Sequence, residues 1–371
     1  MRLYNFDSFS TCESGRMRTE IKRVFEKQWR DIRKDTTLPE CSLGDVSLRP
    51  LLIGILDDLI LREAPKTLHS IDGAYALLTT CAPDIVSLRT SFSSQSHFYI
   101  LALTARALGI PSLELQHGLE YLGPGSISKT HTAEYVAVYG QVVLDEFAAL
   151  GFSREKFPIV GSPKFDEYLE KSSKAPRDHA TNGRLSVLCI GFTADAESIY
   201  DDYDVRDYYT ALARSLEKIP NSSVVIKLRP GVSLESRLVV ETIFANVPHT
   251  IAQREPLSEL FVSSDVVVSY YSTTVLEALQ FSKPVVLFDA QPMWVEHIRF
   301  HFSRYAENGA CIIAETQEEL EGALRSLTDD LALRNRLAQG ARETLAKLHL
   351  FDGKASERSV ELIERLSQKQ K

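Results

Sequence analysis

The sequence predicts an α/β protein with two Rossmann-like domains, each built on a parallel sheet. From about Pro83 onward, short apolar runs alternate with amphipathic helical patterns. Each run is almost continuously apolar, which is typical of a parallel strand that is buried on both faces. The chain has 371 residues, too many for one ordinary core, and this length fits two domains.

The N-terminal domain is expected to span residues 1–172 and to begin with helices. Three helical patterns precede Pro83, at Thr19–Arg33, Leu48–Leu61 and Thr67–Thr80. The predicted strands that follow are Asp84–Leu88, Ser112–Leu115, Tyr135–Tyr139 and Ile159–Gly161. A complete Rossmann domain has more than these four strands, so we expect a reduced domain or a sequence that lacks the beginning of the domain.

A polar segment between residues 172 and 183, with Pro176 and Gly183, is expected to link the domains. The second domain is expected to span residues 183–320. Its predicted strands are Ser186–Ile190, Ser223–Lys227, Val266–Ser269, Pro284–Phe288 and Ala310–Ile313. The charged, helical residues 321–371 are expected to pack across both domains.

Composition and charge limit the partners that we expect. The net charge of −8 argues against nucleic acid, because neutralising phosphates needs a basic surface. The five cysteines are scattered without metal-ligand spacing and predict reduced thiols, with Cys81, Cys189 and Cys311 in the core. No signal peptide and no apolar run of about 20 residues is found. We therefore expect a cytoplasmic protein, with peripheral association with the inner face of the membrane left open.

In open parallel sheets, ligands bind beyond the carboxyl ends of the strands, so the loops there are the first candidates for a site. Gln116, His117 and Gly118 directly follow the predicted strand Ser112–Leu115. Histidine titrates near neutral pH and suits general base chemistry on a hydroxyl. The alternative is that His117 caps a helix or bonds a loop carbonyl.

Two other strand ends carry weaker signals. Lys164 and Asp166 follow a Gly-Ser-Pro helix entry, where Pro163 suits the first helical turn, and both are candidates to face a ligand. Gly191 and Thr193 follow the first strand of the second domain, where a small residue lets backbone amides approach a phosphate.

Lys227 and Arg229 follow the strand Ser223–Lys227, and Pro230 and Gly231 come directly behind them. A cation at a strand end can bind a pyrophosphate, and the guanidinium fork matches phosphate oxygens. The alternative is a solvated surface arginine.

Hydroxyl residues follow the strand Val266–Ser269 and open a helix. Ser272, Thr273 and Thr274 are therefore candidates to bind phosphate with the free amides of the helix start. Glu277 is a candidate to hold the ribose or sugar hydroxyls of a donor. Its spacing from Thr274 also fits a capping box, and capping is the alternative role.

No metal site is predicted. His297 and His301 are four residues apart, but they lack the His-Glu-x-x-His arrangement of a zinc site. A Gly-x-Gly-x-x-Gly motif and a P-loop are also absent from the sequence, so no dinucleotide or P-loop nucleotide site is predicted.

The order of these motifs resembles that of bacterial surface-polysaccharide glycosyltransferases of the GT-B type, including capsule, Kdo and CDP-glycerol polymerase-like enzymes. The resemblance covers residues 83–313. It is carried by Ala105–Pro111, Gln116–Gly118, Val138–Gly140, Gly161–Asp166, Ser264–Ser269, Tyr271–Ala278 and Lys283–Val286.

The resemblance implies two Rossmann-like domains that face each other across a cleft. It implies transfer of a sugar from a nucleotide-sugar donor, used as substrate with no cofactor, to a glycan or lipid-linked glycan acceptor. His117 matches the proposed base of the Trp-His-Gly loop in the glycerophosphate polymerases. Arg229-Pro230 stands where those families often carry His-Pro, which leaves the donor and the stereochemistry open.

The resemblance divides the candidate residues into three groups. The catalytic candidates are His117, Glu120 and Asp166. The donor-binding candidates are Gly191, Thr193, Lys227, Arg229, Ser272, Thr273, Thr274 and Glu277. The acceptor-side candidates are Gln116, Gly118 and Lys164.

Two alternative functions stay open. An isomerase of the UDP-N-acetylglucosamine 2-epimerase kind shares this fold, but it would need several carboxylates in the cleft, where only Glu120 and Asp166 are candidates. The other alternative is a non-catalytic subunit that binds a sugar nucleotide. The N-terminal half, with its few predicted strands, is compatible with this alternative.

Overall fold

The computed structural model describes residues 12–34, 42–92, 96–119, 130–174, 184–191, 202–219, 221–289 and 296–368. The chain forms two compact units. Unit 1 comprises Met1–Leu115, Ile127–Val136 and Leu362–Lys371, and unit 2 comprises Gln116–Ser126 and Ala137–Glu361. The expected linker overlaps residues 175–183, which lie outside the described residues, and the domain boundaries given above stay a prediction.

Unit 1 begins with helices, in agreement with the sequence. Its elements are α1 (Cys12–Arg33), β1 (Ser42–Leu43), β2 (Val46–Ser47), α2 (Arg49–Asp58), α3 (Ala64–Cys81), β3 (Val86–Leu88), α4 (Ser96–Ala107), β4 (Ser112–Leu115) and β5 (Tyr135–Ala137), whose last residue belongs to unit 2. Prolines occupy the first turns of α2 and α3, where the missing N–H costs nothing.

The sheet of unit 1 has three strands among the described residues, in the order β3-β4-β5, which is fewer than in a complete Rossmann domain. The prediction of a fourth strand at Ile159–Gly161 was wrong. Ile159 forms only an isolated parallel bridge with Val138. Pro158 supplies no N–H, and Gly161 turns the chain with a φ of 82°, so the pairing cannot extend.

Unit 2 has a six-stranded parallel sheet in the order β11-β10-β9-β6-β7-β8. The strands are β6 (Leu185–Ile190), β7 (Ser222–Lys227), β8 (His249–Ala252), β9 (Val266–Ser269), β10 (Val285–Phe288) and β11 (Cys311–Ala314). Counted along the unit, this is the Rossmann order 3-2-1-4-5-6, and the order reverses between β6 and β9. Ligand sites are expected at that switch point.

The helices of unit 2 complete the α/β alternation. They are α5 (Gln141–Ala149), α6 (Pro163–Lys174), α7 (Asp202–Glu217), α8 (Leu234–Ile243), α9 (Leu257–Val262), α10 (Thr274–Gln280), α11 (Glu296–Glu307), α12 (Gln317–Asp329), α13 (Leu331–Leu348) and α14 (Ala355–Gln368), which ends in unit 1. In unit 2, α12 packs on α7 and β11, and α13 packs on α10. The expected packing of residues 321–371 across two domains stays a prediction.

Apolar burial forms the core of unit 2. Every residue of β9 and β10 is buried, which agrees with the continuous apolar runs seen in the sequence. Cys189 and Cys311 are buried as expected, whereas Cys81 is exposed because α3 ends there and the chain turns at Ala82, with a φ of 40°. No helix in the described parts of the chain is both long and apolar enough to cross a bilayer.

Candidate functional site

A pocket of about 480 Å³ lies in unit 2 at the carboxyl ends of β6, β7, β8 and β9, beside the switch point of the sheet. We refer to it as the strand-end pocket. Its volume is within the range of small-molecule sites. The lining residues are Lys164, Glu167, Tyr168, Lys171, Ile190, Gly191, Lys227–Pro230, Gln253–Ser258, Ser269–Ser272 and Thr274.

Two cations at the end of β7 differ in their availability to a ligand. The buried Lys227 donates from Nζ to the carbonyls of Gln253, at 2.5 Å, and Leu228, at 3.2 Å. Burial lowers the pKa of Lys227. The side chain of Arg229 is exposed at the pocket and has no hydrogen-bond or ion-pair partner in the described part of the chain. Lys227 therefore ties two loops together, and Arg229 is available to an anion.

Gly191, at the end of β6, lets the chain pass close to the core beneath the pocket. A Cβ at this position would clash with the hydroxyl of Tyr209 and lie 3.0 Å from Leu228. Gly191 therefore lines the pocket with backbone alone. Thr193, its predicted partner in phosphate binding, lies outside the described residues.

The three hydroxyl residues after β9 have different surroundings. Ser272 and Thr274 line the pocket, and their hydroxyl oxygens are 3.2 Å apart. Thr273 accepts a hydrogen bond at 3.0 Å from the backbone N–H of Leu119. The structure therefore brings the hydroxyl-rich start of α10 against the loop that follows His117.

That loop is held by Gln116, which is buried. Its Oε1 accepts from the Tyr139 backbone N–H at 2.7 Å, and its Nε2 donates to the Gly118 carbonyl at 2.8 Å. A Cβ on Gly118 would lie 2.9 Å from Oγ1 of Thr273. His117, between the two, is exposed and has no partner among the described residues. It does not line the strand-end pocket.

Glu277 has partners that the sequence did not predict. Its side chain is buried, and its two oxygens accept from Lys164 Nζ at 2.6 Å and from the Tyr168 hydroxyl at 2.8 Å. Burial and the Glu277 charge raise the pKa of Tyr168. The capping alternative is not observed, because no side chain caps α10 at Thr273. Glu277 is held beside the pocket by α6, and its contact with a donor stays a prediction.

Asp166 holds the start of α14. Its two oxygens accept from the backbone N–H groups of Ala355, at 3.0 Å, and Ser356, at 2.7 Å. This is helix capping, and Asp166 does not line the pocket. Asp166 was expected to face a ligand, but it does not face the strand-end pocket. Its catalytic role stays a prediction. Glu120, the other candidate carboxylate, lies outside the described residues.

The sequence missed the part of the pocket that follows β8. Gln253, Arg254 and Glu255 line it, and Pro256 starts the turn into α9. These residues could have been predicted, because ligands bind beyond the carboxyl ends of parallel strands, and β8 is one of those strands. The strand itself was not predicted, since two of its four residues are polar.

No group of three or more His, Cys, Asp or Glu side chains within the described ranges could hold a metal ion. His301 lies 3.2 Å from Glu146, which also pairs with Arg304 at 2.6 Å. This histidine is thus part of an ion-pair cluster between α5 and α11. The side chain of His297 is outside the described residues.

The chemistry of the strand-end pocket suits a ligand that is both anionic and cyclic. The Arg229 guanidinium and the hydroxyls of Ser272 and Thr274 offer donors to phosphate oxygens. Tyr270 and Tyr271 contribute ring surface, with centroids 5.2 Å apart, and the Tyr271 hydroxyl donates to Asp289 at 3.1 Å. Flat rings and phosphates occur together in nucleotides.

Three solved structures resemble this chain, each at low sequence identity. The UDP-GlcNAc 2-epimerase of Neisseria meningitidis bound to UDP-GlcNAc is 14% identical, with a TM-score of 0.60 over 81% of this chain and 82% of that chain. The S. aureus MnaA–UDP complex is 16% identical, with a TM-score of 0.59 over 81% and 80%. MurG of Acinetobacter baumannii is 17% identical, with a TM-score of 0.52 over 81% and 80%.

These similarities show the fold, which is the two-domain Rossmann-like GT-B fold. No curated protein sequence matches the chain significantly. A family profile described as LIC12162 family transferase matches residues 3–304, which is most of the chain. The protein therefore belongs to the LIC12162 family of transferases.

Proposed function

We propose that this transferase moves a sugar from a nucleotide-sugar donor to a glycan or lipid-linked glycan acceptor in the synthesis of a bacterial surface polysaccharide such as capsule or lipopolysaccharide. The observation that carries the proposal is the strand-end pocket, at the switch point of a Rossmann sheet, with the Arg229 side chain, which has no partner among the described residues, at its edge. Solved structures with this fold include complexes with UDP and with UDP-GlcNAc, which supports a nucleotide-sugar.

In the proposed reaction, the bond between the sugar C1 and the phosphate oxygen breaks, and the nucleoside diphosphate leaves with the electron pair. Arg229, Ser272 and Thr274 would stabilise the charge that develops on the leaving phosphate, with no requirement for a metal ion. An acceptor oxygen forms the new bond to C1. His117, which is exposed and has no partner in the described part of the chain, would take the acceptor proton as general base.

The contact between the His117 loop and the start of α10 supports this assignment. The hydrogen bond from Leu119 to Thr273 joins the loop to the segment whose neighbours, Ser272 and Thr274, line the pocket. A base on that loop would therefore be close to a donor bound by those hydroxyls. Gln116, bonded at both amide atoms, would keep the loop in position.

An epimerase is the second candidate, because several UDP-GlcNAc 2-epimerases have TM-scores that exceed the 0.52 of MurG. The family description as a transferase favours glycosyl transfer. Three carboxylates near the pocket already have partners: Glu277 is bonded to Lys164 and Tyr168, Asp166 caps α14, and Glu167 pairs with Lys171. Glu255 also lines the pocket, so the carboxylates do not decide between the two candidates.

The test is incubation of the purified protein with UDP-, CDP-, GDP- and CMP-sugars, with and without a glycan acceptor extract, followed by mass spectrometry. We expect one donor to give an extended acceptor and a free nucleotide. A new epimer from a nucleotide-sugar alone would favour the isomerase. Nucleotide binding without any turnover would favour the non-catalytic subunit.

A His117→Ala variant tests the proposed base. We expect kcat to fall by about two to four orders of magnitude with little change in nucleotide affinity, since general base catalysis contributes about that much. Gln116→Ala serves as the comparison, because it loosens the loop and leaves the imidazole in place. If His117→Ala kept its transfer rate within a few-fold of wild type, the assignment of the base would fail.

A further inference from the structure

The helices that precede the sheet of unit 1 expose most of the large apolar side chains at the surface of this chain. Among the described residues, eighteen such side chains are exposed, and thirteen of them lie between Met17 and Tyr75. No residue of α2 is buried, although the helix is rich in Leu and Ile. Single exposed apolar residues need no explanation, but a concentrated set marks an interaction surface.

One stripe of this surface follows α2 and the helical turn Leu59–Glu63 behind it. Leu51, Ile55 and Leu59 recur every four residues, so they share one face, and they are 61%, 49% and 50% exposed. The hairpin of β1 and β2 lies just before α2. Its paired residues Leu43 and Val46 are 75% and 64% exposed. We refer to these five residues as the apolar face.

The neighbouring helix α1 presents a basic face. Residues 12–34 carry eight Lys and Arg against four Asp and Glu, a net charge of 8 − 4 = +4 in a chain whose total is −8. Arg16, Arg23 and Lys27 are seven and four residues apart, so they share one side of the helix. They are exposed and have no partner in the described part of the chain.

The other side of α1 is anchored to unit 1. Trp29 is buried and donates from Nε1 to Asp57 at 2.7 Å, and Arg18 pairs with Asp72 of α3. These contacts use the face of α1 opposite Arg23, so the basic face stays directed outward. An outward basic face next to an unburied apolar helix is the composition of an interfacial, membrane-surface element.

We propose that this part of unit 1 docks on an anionic lipid surface, with the apolar face entering the headgroup boundary and the basic face of α1 contacting the phosphates. Charge favours this partner over symmetric pairing of two copies through α1, because that pairing would bring two segments of charge +4 together. Anionic lipid complements that charge, and each surface Lys or Arg adds to the attraction. The inference goes beyond the proposed chemistry and does not require it.

The experiment is cosedimentation of the full chain with vesicles of phosphatidylcholine alone and with about one third phosphatidylglycerol. We expect binding to the anionic vesicles only, and a loss of binding as salt is raised. An Arg16→Gln/Arg23→Gln/Lys27→Gln variant should bind at least about tenfold more weakly, since each cation is worth about fivefold. A Leu51→Ser/Ile55→Ser/Leu59→Ser variant should also lose binding.

A Leu234→Ser/Leu238→Ser variant of α8 in unit 2 is the matched control, since these leucines are 71% and 50% exposed and lie outside the proposed surface. It should bind vesicles like wild type. Failure of the wild-type chain to bind anionic vesicles would overturn the proposal. So would a wild-type dimer that the apolar-face variant converts to a monomer, because the face would then join two copies.

Two points keep the test decisive. If the apolar-face variant fails to fold, as judged by circular dichroism, the charge variant and the salt series still decide the outcome. Vesicle binding requires no donor or acceptor, so its failure would leave the proposed glycosyl transfer standing. Equally, absence of transfer would leave the lipid-docking inference untouched.

Discussion

The two sheets of this protein place polar residues near the carboxyl ends of their strands, but these residues are used differently. In unit 1, Ser91 and Glu114 are completely buried, and Oε2 of Glu114 accepts from the Ser91 hydroxyl at 2.5 Å and lies 2.8 Å from Nδ1 of His131. In unit 2, Arg229 and Ser272 line an open pocket. The polar groups at this edge of the unit 1 sheet are thus paired with one another, whereas the Arg229 side chain in unit 2 has no partner in the described part of the chain and is open to a ligand.

The largest effect expected at neutral pH tests the internal pairing in unit 1. Glu114→Ala should lower the free energy of unfolding by about 3 kcal/mol, because it leaves two buried donors, Ser91 and His131, without their acceptor. Urea denaturation measures this. Glu114→Gln keeps an oxygen acceptor, so it should lower the free energy of unfolding by less than Glu114→Ala does. A Glu114→Ala protein as stable as wild type would show that the cluster is dispensable and would weaken the contrast with unit 2.

The next effect tests the open pocket of unit 2. Arg229→Ala should weaken binding of the preferred nucleoside diphosphate about thirtyfold, close to 2 kcal/mol, because a charged hydrogen bond to phosphate is lost. The melting temperature should not change, since Arg229 is exposed and unpartnered among the described residues. Titration calorimetry measures the affinity. Arg214→Ala, on α7 and away from the pocket, is the matched control.

Stability measured at several pH values compares the buried histidines of the two units. His131 of unit 1 lies against a carboxylate, whereas His349 of unit 2 bonds the Tyr305 hydroxyl at 2.8 Å. Burial, with Arg304 nearby, lowers the pKa of His349 from 6.5 to about 3. Below pH 6.5 the imidazole of His349 takes up a proton in the unfolded chain but stays neutral in the folded chain. The free energy of unfolding therefore decreases as the pH falls.

The expected loss from His349 is about 1.4 kcal/mol per pH unit as the pH falls from 6.5 toward 3. Above pH 6.5, His349 should add nothing to the dependence of the free energy of unfolding on pH. Urea denaturation of wild type and His349→Gln at several pH values isolates the contribution. Parallel pH profiles for the two proteins would contradict a buried neutral imidazole.

The smallest expected effect concerns the contact between the His117 loop and α10. Thr273→Val preserves the shape of the side chain and removes the acceptor of the Leu119 N–H. The free energy of unfolding should therefore fall by about 1 kcal/mol. Thr242→Val, whose hydroxyl bonds within its own helix, is the control. A larger fall in transfer rate than in stability would indicate that the loop position matters to the reaction.

Much of the fold was predictable because it depends on local apolar pattern. The run at Val266–Ser269 became β9 and the run at Ser112–Leu115 became β4, with the predicted ends. Edge strand β8 was missed because two of its four residues, His249 and Thr250, are polar, so its sequence is not continuously apolar. A pattern that reports complete burial on both faces does not detect a strand that is only partly buried.

The site was predictable only in part, because pairing across the chain is invisible to local pattern. Gly191, Lys227, Arg229, Ser272 and Thr274 line the pocket at the strand ends where the sequence placed them. The partners of Glu277 on α6, and the tie between Asp166 and α14, join residues more than a hundred positions apart. Spacing within a motif contains no information about such contacts.

Hydrogen–deuterium exchange with and without the preferred nucleoside diphosphate tests most directly which strand ends form the site. We predict slower exchange in peptides that contain residues 227–231, 253–258 and 269–274 of unit 2. Peptides that contain residues 86–92 of unit 1 should exchange as before. Protection confined to unit 1, or none at a nucleotide concentration that saturates binding, would contradict the assignment of the strand-end pocket.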